Sequence, residues 1–182
     1  MSSARAPADT TPPAPRCEGL GPVVGSQTRW LILGSFPGQA SLQAQQYYAH
    51  PRNQFWPLLQ TLWPDDPLPS GEDAYEARCR WLLSHGLGLW DVYASCVRSG
   101  SLDSAIRDAQ RNDFQALARQ CPQLRLIGFN GAQSFRHAHE VLQDLGEVPV
   151  LRLPSTSPAH ASQTFDDKLR AWHAAAVQAG LC

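Results

Sequence analysis

The sequence predicts an α/β domain built on a parallel sheet. Short apolar runs alternate with helix-period segments beyond about residue 28, the pattern of strand–helix–strand units. The first run is continuously apolar, as in a strand covered on both faces, and each run is followed by turn-forming residues. A chain of 182 residues, 43% hydrophobic and 17% charged, has the composition of one ordinary globular domain. Collagen, coiled coil and global disorder are excluded.

Residues 1–27 hold Pro7, Pro12, Pro13, Pro15 and Pro22 among Ala, Ser and Thr, with no periodic apolar pattern, and are expected to be a disordered tail. Residues 28–182 are expected to form a single domain. The first strand is Trp30-Leu31-Ile32-Leu33, ended by Gly34. The second is read over 87–94, the third over 124–129, and the fourth over 148–153, closed by Pro154. Between them, 73–85 reads as a helix closed by Gly86. Asn112-Asp113 caps another running to Gln120, 131–145 is closed by Gly146, and 163–179 by Gly180. Ligands of such sheets gather outside the carboxyl ends of the strands, so the segments after each strand are the candidate site.

Composition narrows the chemistry. Five scattered cysteines without a C-x-x-C pair point to reduced thiols rather than a disulfide framework, zinc site or iron–sulfur site, and no cofactor or metal is expected. No run approaches the ~20 apolar residues of a membrane span, and no secretory signal is evident, so a cytoplasmic protein is expected. A net charge of −1 argues against wide electrostatic wrapping of nucleic acid but permits a small local footprint. Lys168 is the only lysine.

After the first strand comes Gly34-Ser35-Phe36-Pro37-Gly38, by itself a tight turn. Then two Tyr, a His, an Arg and an Asn crowd around Pro51 in 47–56, supplying the aromatic faces and polar groups that a nucleobase pocket requires. Asp91 sits in an apolar stretch, where a carboxylate either binds loop amides or is functional. Asn130-Gly131 opens a helix and reads as a cap. His137 and His139 are two residues apart, so they cannot form a helical metal pair. The Ser/Thr/Pro cluster 154–160 is either a generic loop or a phosphate clamp of hydroxyls and amides, without cationic side chains.

Taken in order, five stretches resemble the uracil-DNA glycosylase superfamily, most closely its hypoxanthine-DNA glycosylase branch. They are Gly34-Ser35-Phe36-Pro37, Tyr47 to Trp56, Leu89-Trp90-Asp91-Val92 with 101–106, Gly128-Phe129-Asn130-Gly131, and Pro154 to His160. The resemblance implies a three-layer α/β/α fold around a four-stranded parallel sheet, a DNA substrate, and excision of a deaminated base in base excision repair. Mismatch-specific relatives carry G-I-N-P-G after the first strand, with an Asn that positions the attacking water. Phe36 occupies that position here. The shared H-P-x-N-x-F-W segment maps the catalytic Asn of the hypoxanthine branch onto Asn53, and a base-stacking aromatic onto Tyr48.

The resemblance therefore gives Asn53 as catalytic, orienting a water or donating to the base. Ser35, Phe36, Tyr48, Asp91 and His160 are expected to bind the base, and Ser155, Thr156 and Ser157 the phosphate. The expected enzyme is a monofunctional, monomeric deoxyinosine glycosylase that hands an abasic site to a downstream endonuclease. Its lone lysine is expected on the last helix, well away from the loops around Asn53. A uracil-excising enzyme of the same superfamily and a non-catalytic lesion-binding module are the alternatives, and a flavodoxin-like nucleotide binder is disfavoured because G-x-G-x-x-G and a P-loop lysine are absent.

Overall fold

A computed structural model describes residues 16–71 and 74–182. Its centre is a four-stranded, all-parallel sheet of order β3-β2-β6-β7, with β2 at Trp30–Gly34, β3 at Leu87–Asp91, β6 at Leu126–Asn130 and β7 at Val150–Leu153. Trp30 pairs with Leu87 on one side and Leu126 on the other, which makes β2 a central strand and explains its unbroken burial. Side chains alternate across the sheet. The face carrying Trp30 meets Trp172 of α7 (Phe165–Gln178), which in turn meets Phe55 of α2 (Phe55–Leu62), with ring centroids 5.7 and 5.8 Å apart. On the other face Trp90 packs on Phe114 of α4 (Phe114–Ala118), and Phe129 on Phe135 of α5 (Ala132–Phe135). These are the three layers expected. The remaining helices are α1 (Gln39–Ala44), α3 (Tyr75–Ser84) and α6 (Ala138–Leu145).

The structure departs from the expected elements in three places. The run 87–94 is two strands: β3 stops at Asp91, and β4 (Tyr93–Val97) turns into a separate antiparallel sheet between β1 (Arg16–Glu18) and β5 (Arg107–Arg111). Two bonds make the corner, because Val92 N donates to Gly34 O and Asn112 Nδ2 to Asp91 O, both at 2.9 Å. The segment 131–145 is likewise two helices, α5 and α6, meeting at Arg136 and His137.

Residues 16–27, expected in the tail, are part of the fold. Cys17 pairs with Cys96 in the second sheet, and Val23 exchanges main-chain bonds of 2.8 and 2.9 Å with Leu89. Trp90 Nε1 and Tyr47 Oη both donate to Leu20 O. Such pairing uses backbone groups and needs no apolar periodicity. The rest of the expected tail, residues 1–15, lies outside the described residues.

Candidate active site

The carboxyl ends of all four parallel strands open into one cleft of about 400 Å³, and the nine residues expected in the site all line it. Its walls are the loop after β2, the segment 47–53, Asp91, the turn 101–104, the start of α5 and the loop 155–160.

The segment before α2 is wound tightly. Asn53 N donates to His50 O at 2.8 Å, and Asn53 Oδ1 accepts from Phe55 N at 2.9 Å, a side-chain turn that starts the helix. One lone pair of the Asn53 amide oxygen is thus taken by its own chain, leaving the other and Nδ2 for a ligand. Tyr48 stacks on Phe55 with centroids 4.0 Å apart, and its hydroxyl accepts from Asn130 Nδ2 at 3.1 Å. Burial pushes that phenol above its ordinary value, and the nearby Asp91 adds to the shift.

Asp91 ends β3 with 4% exposure. Its Oδ2 has no hydrogen-bond partner, and Oδ1 lies against Gly34, where a Cβ would collide with it. Only glycine fits at the end of β2 beside this carboxyl. Burial first, then the charge of Asp103, lift Asp91 to about 8, against an opposing pull from Arg98. The shift favours the neutral carboxylic acid at neutral pH, the form with a proton to donate. Ser35 Oγ donates to Asp103 Oδ1 at 2.7 Å, and Ser101 Oγ accepts from Gln39 N at 2.9 Å, so the turn 101–104 is tied to the loop after β2 and to the first residue of α1.

The structure revises the expected phosphate clamp. Thr156 is wholly buried, its amide donates to Asn130 Oδ1 at 2.9 Å, and its hydroxyl accepts from Asn130 Nδ2 at 2.9 Å. Both groups are engaged by Asn130, so Thr156 holds the loop. Ser155 and Ser157 are half-buried on the cleft, and each hydroxyl accepts from an amide two residues on, which leaves each O–H to donate outward. His160 is exposed at the rim, with its ring 3.3 Å from Ser162 Oγ, rather than deep in a base pocket.

Lys168 is also not where it was expected. It is 2% exposed, and its Nζ donates to Gln54 Oε1 at 2.7 Å and to His160 O at 3.0 Å. It therefore ties the residue next to Asn53 to the far end of the loop 155–160, from behind the wall and outside the cleft lining. Burial lowers its proton affinity. Reading helix rise along α7 missed this because the loop and the start of α2 fold back over the helix.

Asn130, which reads as a cap in the sequence, is the joint of the site. One amide engages both the stacking Tyr48 and the buried Thr156. The available signal was its neighbour: Gly131 has φ of +110° and a Cβ there would lie 3.2 Å from Ser155, a close approach of two loops. Among the described residues no cluster of His, Cys, Asp or Glu could hold a metal ion, and no helix is long and apolar enough to cross a membrane.

Comparison with known proteins agrees with this fold. Two curated Methanosarcina proteins, each named hypoxanthine DNA glycosylase, align over 143 residues. That from M. barkeri is 37% identical across 76% of this chain and 85% of its own. That from M. acetivorans is 39% identical across 78% and 87%. The solution NMR structure of a candidate uracil DNA glycosylase from M. acetivorans superposes with a TM-score of 0.75 at 35% identity, over 91% of this chain and 98% of that one. The family model of the uracil DNA glycosylase superfamily matches residues 22–179, and the chain belongs to that superfamily.

Proposed function

We propose that this protein is a DNA glycosylase that releases hypoxanthine from deoxyinosine by hydrolysis, leaving an intact abasic site for a downstream endonuclease. The observation that carries the reading is the convergence on one cleft of the Asn53 amide and the buried Asp91 carboxyl, which burial pushes towards its neutral form, beside the ring of Tyr48. The relatives named for hypoxanthine supply the substrate class.

Breaking the bond between sugar and base leaves its electron pair on the base and oxocarbenium character on the sugar. Water adds to the sugar carbon, and the proton it loses is matched by the one the departing base anion takes up, so the products are the sugar hydroxylated at that carbon and the neutral base. Catalysis then depends on hydrogen bonds aimed at the departing base and on holding it, more than on a strong nucleophile. Tyr48 offers its ring to the extruded base, Ser35 and Phe36 offer main-chain amides to its edge, and Asn53 Nδ2 and the Asp91 O–H donate to its nitrogen or oxygen atoms. Ser155 and Ser157 hold the flanking phosphate, with His160 at the rim. Among the described residues no amine lines the cleft, which favours direct hydrolysis over a Schiff base. The reading is of a monomer acting in the cytoplasm.

The test is a panel of labelled duplexes carrying inosine, uracil or xanthine, followed by alkali to reveal abasic sites, with borohydride in a parallel series. Release of hypoxanthine without a trapped adduct is expected. Asn53→Ala should lower the single-turnover rate by about 10²-fold with little change in DNA affinity, the scale of one preorganised donor. Preferential uracil release would instead identify the other specificity of the superfamily, and binding without turnover a lesion-recognition module.

A further inference from the structure

Arg98 follows β4 and lies outside the cleft lining, yet only 6% of it is exposed. Its Nη2 donates to Pro37 O, and its Cζ sits 4.9 Å from the centroid of the Phe36 ring. Among the described residues Nε and Nη1 have no hydrogen-bond partner and Arg98 forms no ion pair. A guanidinium buried this way is expensive, and an apolar side chain of similar volume would serve stability as well or better. Its charge nevertheless reaches the cleft, because it draws down the proton affinity of both Asp91 and Asp103.

We propose that Arg98 is a positioning residue that gives the cleft floor a fixed positive charge, setting the loop of Ser35 and Phe36 through the Pro37 carbonyl and stabilising, from behind the Phe36 ring, the negative charge that the departing base acquires. This rests on the glycosylase reading. Arg98 remains protonated throughout and donates no proton to the reaction, because its role is the field it maintains. A charge fixed before the reaction requires no reorganisation during it, and the low-polarity surroundings leave it little screened. The Pro37 bond adds a second effect. In a planar trans peptide the carbonyl and the following amide point opposite ways, so holding Pro37 O on Arg98 directs the Gly38 N–H away from the guanidinium.

The test separates charge from packing. Arg98→Gln and Arg98→Met remove the charge, the former retaining a donor for Pro37, whereas Arg98→Lys keeps it. Single-turnover release of hypoxanthine is measured from pH 5 to 10, with the Asp91 carboxyl followed by carbon NMR in the absence of DNA. The groups bearing on that carboxyl are Asp103, Arg98 and the hydroxyls of Tyr47, Tyr48 and Tyr75; those bearing on Arg98 are Asp91, Asp103 and Cys96. Both neutral variants should slow release about 10- to 30-fold with DNA affinity unchanged, and both should move the Asp91 titration to higher pH. Arg98→Lys should keep the titration in place and recover much of the rate. Equal losses in Lys and Gln variants, or an unmoved Asp91 titration in folded neutral variants, would overturn the proposal. If the wild-type protein releases no base from any duplex the glycosylase reading fails instead, and the NMR titration still reports whether the charge reaches the cleft.

Discussion

Tyr48 keeps a bulky side chain on a backbone with φ of +56°, a conformation that costs an aromatic residue of the order of 1–3 kcal/mol. The stack on Phe55 and the bond from Asn130 hold it there. If the ring face carries the contact with the base, Tyr48→Phe keeps most activity and Tyr48→Ala loses it, as single-turnover rates will show. Equal damage would give the contact to the hydroxyl. Asp91 makes the second residue-scale prediction. Its folded value of about 8 lies above the ordinary carboxyl value of 3.8, so the folded form keeps a proton that the unfolded chain releases as pH rises. Its contribution to stability is therefore fully present below about pH 4 and is lost as pH rises towards 8. Asp91→Asn carries no such penalty, and its gain in Tm over wild type should widen across that window and then level off. Activity that needs the proton should fall through pH 8 in wild type and stay flat in Asp91→Asn.

At the scale of elements, the central strands were legible because burial on both faces writes an unbroken apolar run, as in Trp30 to Leu33. The second sheet left no such mark. All five residues of β5, Arg107 to Arg111, are exposed, and β1 has three residues, so neither writes an apolar pattern into the sequence. The loops after the strands could be read as site segments, but their internal bonds could not: Asn130 reaches Tyr48 across 82 positions and Thr156 across 26. That amide makes a prediction of its own. Asn130→Ala strips three bonds from a half-buried joint and should cost about 2–3 kcal/mol of stability in denaturant unfolding. Hypoxanthine release should fall with it, because the stacking ring and the serine loop lose their common anchor. A variant of wild-type stability would make the joint dispensable.

At the scale of the molecule, a net charge of −1 and the proposed clamp of hydroxyls at Ser155 and Ser157 imply that few counterions leave the DNA on binding. The slope of log affinity on log salt should correspond to about two to four phosphates. A slope typical of a strongly basic DNA-binding protein would reject the hydroxyl clamp. The burial of Lys168 has a consequence for the whole surface. Since this is the only lysine in the sequence, every side-chain cation on the exposed face of the described residues is a guanidinium or an imidazole. Acetylation, ubiquitin conjugation and amine-directed labels find no lysine acceptor there while Gln54 and His160 hold the ammonium. The mark that an amine-directed reagent leaves at Lys168 itself, read by peptide mapping, is therefore a clock for the release of these two bonds, formed only after the loop beside the cleft has let go.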